Sequence, residues 1–186
     1  MTKGSRISYV AFLRGINVGG RKPIKMAELS AAFVALNFQS IRTVLASGNV
    51  LFSAPKSATD SLARAIESKI KSAVGHEVGV IVRSIDEIRA LADAEPFKKV
   101  KVTPNTRLYV TFLAEKPKTT LKIPWETKDK EFGIVRSTEN ELCSVVTLSP
   151  QHQTTEAMLI LEKEFGRKIT TRNWNTIEKI LKAAGD

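Results

Sequence analysis

A chain of 186 residues can bury a real core, but hardly more than two small domains' worth of one. Its 42% hydrophobic and 26% charged residues exclude a disordered or fibrous protein, and the single Cys143 excludes an internal disulfide and fits a reducing compartment. The net charge of +10 is unevenly placed: residues 1–95 hold 13 basic and 8 acidic side chains, residues 96–130 hold 9 and 3, and residues 131–186 hold 7 and 8.

Ile7 to Leu13 reads as the first strand; it is too short to span a membrane and ends at Arg14, with no small-residue cleavage site behind it. The expectation is therefore a cytoplasmic protein with no membrane contact. Residues 14–24 form a Gly-rich loop, after which Met26, Leu29, Phe33 and Leu36 recur at helical spacing. Ile41 to Ala46 and Asn49 to Phe52 flank a Ser47-Gly48 turn and read as a hairpin. Ala63, Ile66, Ile70 and Val74 mark a second helix, and Val78 to Val82 a fourth strand. Ser84 and Glu87 then have the spacing of a capping box opening a third helix.

The same order partly recurs after a linker from Glu95 to Thr106. Leu108-Tyr109-Val110-Thr111-Phe112-Leu113 repeats Ser8-Tyr9-Val10-Ala11-Phe12-Leu13 with Tyr, Val, Phe and Leu in register. Thr171 to Ile177 falls on Val82 to Ile88, which places Asn173 on Ser84 as a helix N-cap. Between them lie a hairpin, Phe132 to Leu148, and a helix, Thr155 to Phe165. The fold class expected is α+β, a tandem duplication of a ferredoxin-like βαββαβ unit with antiparallel sheets. Its boundaries are 1–95 for the first half, 96–106 for the linker and 107–186 for the second half. The second copy is less regular, because Glu115 to Lys130 contains Pro117, Pro124 and many lysines where the first helix belongs, so a short helix or a loop is expected there.

Such a unit has strand order 4-1-3-2 with two helices on one face. The first strand alternates Ile7, Tyr9, Ala11 and Leu13 with Val10 and Phe12, so both sheet faces are apolar and the helix-free face also needs a cover. The third helix or the other half is the candidate cover. An open aromatic platform for RNA is disfavoured, since the third strand, Asn49 to Ser53, lacks a basic-glycine-aromatic pattern.

In this topology the loop after strand 1 and the turn after strand 2 emerge at one edge. Both are rich in Gly, Asn and cations: Arg14-Gly15-Ile16-Asn17-Val18-Gly19-Gly20-Arg21-Lys22-Pro23, and Ser47-Gly48-Asn49. Backbone N–H groups and guanidinium forks in such a loop suit an anion. The ligand-binding candidates are Arg14, Asn17, Gly19, Gly20, Arg21, Lys22, Ser47 and Asn49, with Arg172 from the segment Thr170 to Thr176. The plainer alternative is a strand-to-helix loop whose glycines supply positive φ, with Asn173 and Trp174 serving as cap and core. A nucleotide-hydrolysing loop is rejected, because Arg21-Lys22-Pro23 stands where Gly-Lys-Ser/Thr would complete the motif.

No acid, base or nucleophile stands out. His76 and His152 have no ligand spacing, Ser47 no nucleophile-elbow context and Cys143 no neighbouring His, so neither a metal nor a cofactor is expected. Two readings follow. One is a non-catalytic module whose basic surface, with Arg14, Arg21, Lys22, Lys98, Lys99 and Lys101, engages nucleic acid or another polyanion. The other is an enzyme or sensor for a small phosphorylated or carboxylated ligand at the same loop.

Three stretches together carry a family resemblance: Tyr9 to Gly20, Ser47 to Val50, and Thr171 to Thr176. They resemble the bacterial domain-of-unknown-function family 1697 over nearly the whole chain. The resemblance implies a duplicated ferredoxin-like architecture and a cytoplasmic protein, and carries over no catalytic residue.

Overall fold

The computed structural model describes residues 5–16, 24–150 and 154–185. It is an α+β protein with two antiparallel sheets and five helices. Two compact units divide the chain: residues 1–90 together with 178–186, and residues 91–177.

The first unit runs β1 (Arg6–Leu13), α1 (Met26–Val34), β2 (Gln39–Val44), β3 (Asn49–Pro55), α2 (Thr59–Val74) and β4 (Val80–Ser84), and α3 (Ile85–Asp93) begins in it. The sheet order is β2-β3-β1-β4, the order expected from the sequence. Alternation along β1 splits its side chains as the pleat requires. Tyr9, Ala11 and Leu13 join Val50, Phe52, Val80 and Val82 in a core with Leu29 and Phe33 of α1 and Leu62, Ile66 and Ile70 of α2. The α2 residues recur every four positions, one stripe of a helix. Tyr9, Phe33, Phe38 and Phe52 pack ring to ring, with centroids 4.6 to 6.0 Å apart. Each buried aromatic or branched side chain contributes about 1.5–3 kcal/mol by leaving water. On the opposite sheet face Val10, Phe12, Leu51 and Ile81 are buried too. No aromatic of β1 or β3 is therefore open to a stacked base, in agreement with the pattern missing from the third strand.

The second unit holds β5 (Thr106–Leu113), β6 (Trp125–Glu126), β7 (Phe132–Ser137), β8 (Glu141–Thr147), α4 (Thr154–Phe165) and β9 (Ile169–Asn173), and α5 (Trp174–Gly185) begins in it. Its sheet order is β6-β7-β8-β5-β9. Between β5 and β7, where proline and lysine break the helical period, the chain forms a loop carrying the two-residue β6. The core lies between this sheet and α4, from Leu113, Phe132, Ile134, Leu142 and Val146 to Ala157 and Leu161.

Both predicted caps are formed. Ser84 N donates to Glu87 Oε2 at 2.7 Å while Glu87 N donates to Ser84 Oγ at 3.2 Å, the two halves of a capping box. Asn175 N donates to Asn173 Oδ1 at 3.0 Å at the start of α5.

Candidate functional site

β1 runs antiparallel to both β3 and β4, so its exit, the β2–β3 turn and the entry to β4 must meet at one sheet edge. Leu13 N donates to Gly48 O and Arg14 N to Gly79 O, each at 2.8 Å. Gly48 has φ +80°, and a Cβ there would come within 2.8 Å of the Ile16 side chain and 2.9 Å of Leu13 Cβ. Only glycine satisfies both the left-handed turn and the close approach of Ile16. Ile16 is itself buried, pinning the start of the loop onto the turn.

Ser47 is exposed at the tip of that turn, whereas Asn49 is fully buried. The Asn49 amide Nδ2 donates to Val44 O at 2.8 Å and to Ser47 Oγ at 3.1 Å, so this side chain closes the turn across its two strands. Arg14 is half-buried, its stem lying over Gly79: a Cβ on Gly79 would be 3.8 Å from Arg14 Cβ and 3.9 Å from Arg14 Cδ. Of the residues singled out in the sequence, the structure thus brings Arg14, Ser47 and Asn49 to one edge. Asn17, Gly19, Gly20, Arg21 and Lys22 lie outside the described residues. Gly79 was not singled out, although the antiparallel pairing of strands 1 and 4 is the signal that leads to it.

Arg172 belongs to the second unit, on β9 opposite Val110. It is buried, and its Nη1 donates to Thr170 Oγ1 and Thr171 O at 2.8 Å. Burial penalises the charge and lowers its pKa to about 10. Arg83 occupies the matching register in the first unit, opposite Val10, and donates to Val82 O at 2.8 Å. Two arginines with the same backbone bond in the same register describe a structural position within each sheet.

The remaining chemistry is quiet. Cys143 is buried and its thiol pKa is pushed up to about 12 by that burial, which keeps it protonated and unreactive at neutral pH. His76 is exposed, with Nδ1 3.2 Å from Val74 O, and His152 lies outside the described residues. Among the described residues no cluster of His, Cys, Asp and Glu is arranged to hold a metal ion, and no helix is long and apolar enough to cross a membrane.

Residues 7–143 match the family model described as protein of unknown function (DUF1697). The chain belongs to the DUF1697 family. That match includes the β1 exit and the turn at Gly48, the two segments that meet at the sheet edge. No curated protein matches this DUF1697 member in sequence. A solved structure, that of the conserved bacterial protein SP0830 from Streptococcus pneumoniae, is similar with a TM-score of 0.71 at 19% identity. The likeness covers 96% of this chain and 99% of that one, and at that identity it speaks for the fold alone.

Proposed function

We propose that this protein is a non-catalytic anion-binding module that engages nucleic acid or another polyanion through the edge where β1 exits. One observation carries the reading: the β1 exit and the turn before β3 are bonded together there, and neither segment, residues 14–25 or 45–49, contains a single acidic residue. Arg14, Arg21, Lys22 and Lys25 supply the positive charge, Ser47 a hydroxyl at the tip, and Asn49 the rigidity of the turn. Lysines and arginines contact phosphates without reading sequence, so the expected binding is salt-dependent and weakly sequence-selective. The buried faces of the first sheet favour this edge over a stacking platform.

The test is fluorescence polarisation with labelled single-stranded RNA and duplex DNA at low and moderate salt, comparing the native chain with an Arg21→Ala/Lys22→Ala variant. The expected result is a steep salt dependence whose slope falls in the variant by about 1.4–1.8, or about 0.7–0.9 per lost phosphate contact. Binding that is weak and equal in both proteins removes the polyanion reading and leaves a small phosphorylated or carboxylated ligand at the same loop.

The matching of the two units supports a finer view of the fold, a tandem duplication of one ferredoxin-like unit, and the lone free thiol of Cys143 fits a reducing, cytoplasmic setting. Tyr9 pairs with Ser84 and Tyr109 with Asn173; Leu13 pairs with Val80 and Leu113 with Ile169. Leu113 N donates to Asn140 O and Ala114 N to Lys168 O, repeating the bonds of Leu13 and Arg14. Tyr9 Oη bonds to the backbone of Ser57 just before α2, and Tyr109 Oη lies 3.2 Å from Thr154 Oγ1 at the start of α4.

A further inference from the structure

Beside the β1 edge, a concavity of about 330 Å³ opens between α2 and the segment that leads into β4, lined by Arg64, Glu67, Ser68, Lys71, Glu77 and Gly79. Arg64, Ser68 and Lys71 stand at i, i+4 and i+7, one stripe of α2 that extends about 10 Å along the axis. All three are exposed and line the opening, and Arg64 Nη2 lies 3.4 Å from Ser61 Oγ. The backbone of Gly79 lines the opposite wall. Of the two acidic residues, Glu67 faces inward, its Oε1 accepting the backbone N–H of Val80 at 2.8 Å. Glu77 instead forms an ion pair with Lys71 at 2.8 Å, and the two side chains are 82% and 60% exposed. An ion pair that open to solvent contributes little to stability, because water and mobile ions compete with it.

We propose that this concavity binds the phosphate group of a small phosphomonoester, and that the Glu77 carboxylate occupies the phosphate position until the ligand displaces it. Arg64 presents a fork suited to two phosphate oxygens, Lys71 a point charge released from Glu77, and the Ser68 hydroxyl a neutral donor between them. A dianionic monoester outcompetes a single carboxylate for Lys71, whereas a monoanionic diester has no such advantage. The concavity's volume of about 330 Å³ is that of a small-molecule site. With Glu67 and Glu77 lining the same concavity as Arg64 and Lys71, the affinity for bare phosphate is modest. These ligating residues are distinct from those of the loop edge, and the site stands whether or not that edge binds polyanions.

The test is a titration of the isotope-labelled full chain with inorganic phosphate at constant ionic strength, followed through backbone amide shifts. Saturable shifts are expected at Ser68, Lys71, Gly79 and Val80. Arg64→Gln and Lys71→Gln weaken the affinity at least fivefold, and Glu77→Gln tightens it about threefold. Asp93→Asn, which changes the net charge equally on another helix, leaves it unchanged, as does Arg21→Ala/Lys22→Ala. Dimethyl phosphate, a diester, is expected to bind at least tenfold more weakly. The proposal is overturned if the shifts at Ser68, Lys71, Gly79 and Val80 do not saturate, if Glu77→Gln and Asp93→Asn behave alike, or if the diester binds as well as phosphate. The side chains of Arg64, Lys71, Glu77 and Asp93 are exposed, and the same spectra report whether each variant is folded.

Discussion

The same sheet edge occurs in both units with the same backbone bonds, but acidic residues are placed differently around it. In the first unit the β1 exit and the adjoining turn are free of acidic residues. In the second, the β5 exit and its turn carry Glu115 and Glu139, each joined to a lysine: Lys168 to Glu115 at 2.5 Å, and Lys116 to Glu139. Identical topology thus leaves one edge electropositive and closes the other on itself. Position in a fold does not make an anion site; the local balance of charge does.

The largest effect should come from the packing that makes the first edge rigid. Gly48→Ala forces a side chain into the left-handed region and against Ile16 and Leu13, and should destabilise the protein by about 2–3 kcal/mol in chemical denaturation. A loss under 0.5 kcal/mol would mean that the loop is not pinned to the turn.

Helix caps compare the units at the next scale. Ser84→Ala removes one half of a reciprocal box, and Asn173→Ala removes a single bond; each should cost about 1 kcal/mol, with Ser84 the more costly. The reverse order would show that the register match between the two positions is not an energetic one.

The smallest effect belongs to the closed edge. Lys116→Ala and Lys168→Ala should leave the melting temperature within about 1 °C at neutral pH, since both pairs are exposed. The hydrogen bond from Lys168, with its charge, holds the Glu115 pKa below the ordinary carboxylate value. Its small contribution is present above the unfolded-state pKa and is lost as pH falls through the folded one. Melting curves that separate native from Lys168→Ala only at neutral pH, and converge in acid, would agree with this sign.

The first sheet was legible because β1 alternates cleanly, and the starts of α3 and α5 because Ser84, Glu87 and Asn173 are capping residues in capping positions. The repeat of Tyr, Val, Phe and Leu at residues 9–13 and 109–113 picked out β5, and β1 and β5 hold these residues in matching register against β4 and β9. The β6 strand was not legible: two residues have no periodicity to read, and prolines nearby announce only the absence of a helix. Asn49 looked like a ligand because polar loop residues do, yet burial turns its amide to Val44 and Ser47. The concavity along α2 went unread because Arg64, Glu67, Ser68, Lys71 and Glu77 have the pattern of an ordinary solvated helix face.

The end of α5 bears on how the chain is made. Residues 178–186 group with the first unit, and Arg42 Nη1 donates to Ala183 O at 2.8 Å, a bond spanning 141 residues. During synthesis the first ninety residues emerge well before the segment that completes their unit. At about 5–20 residues per second, the ribosome needs about 7–28 s to translate the 141 residues between the two partners. For that interval Arg42 has no Ala183 carbonyl to meet. The unit translated first is thus the one whose last native contact forms latest, and chaperone binding to nascent chains should persist past the first ninety residues.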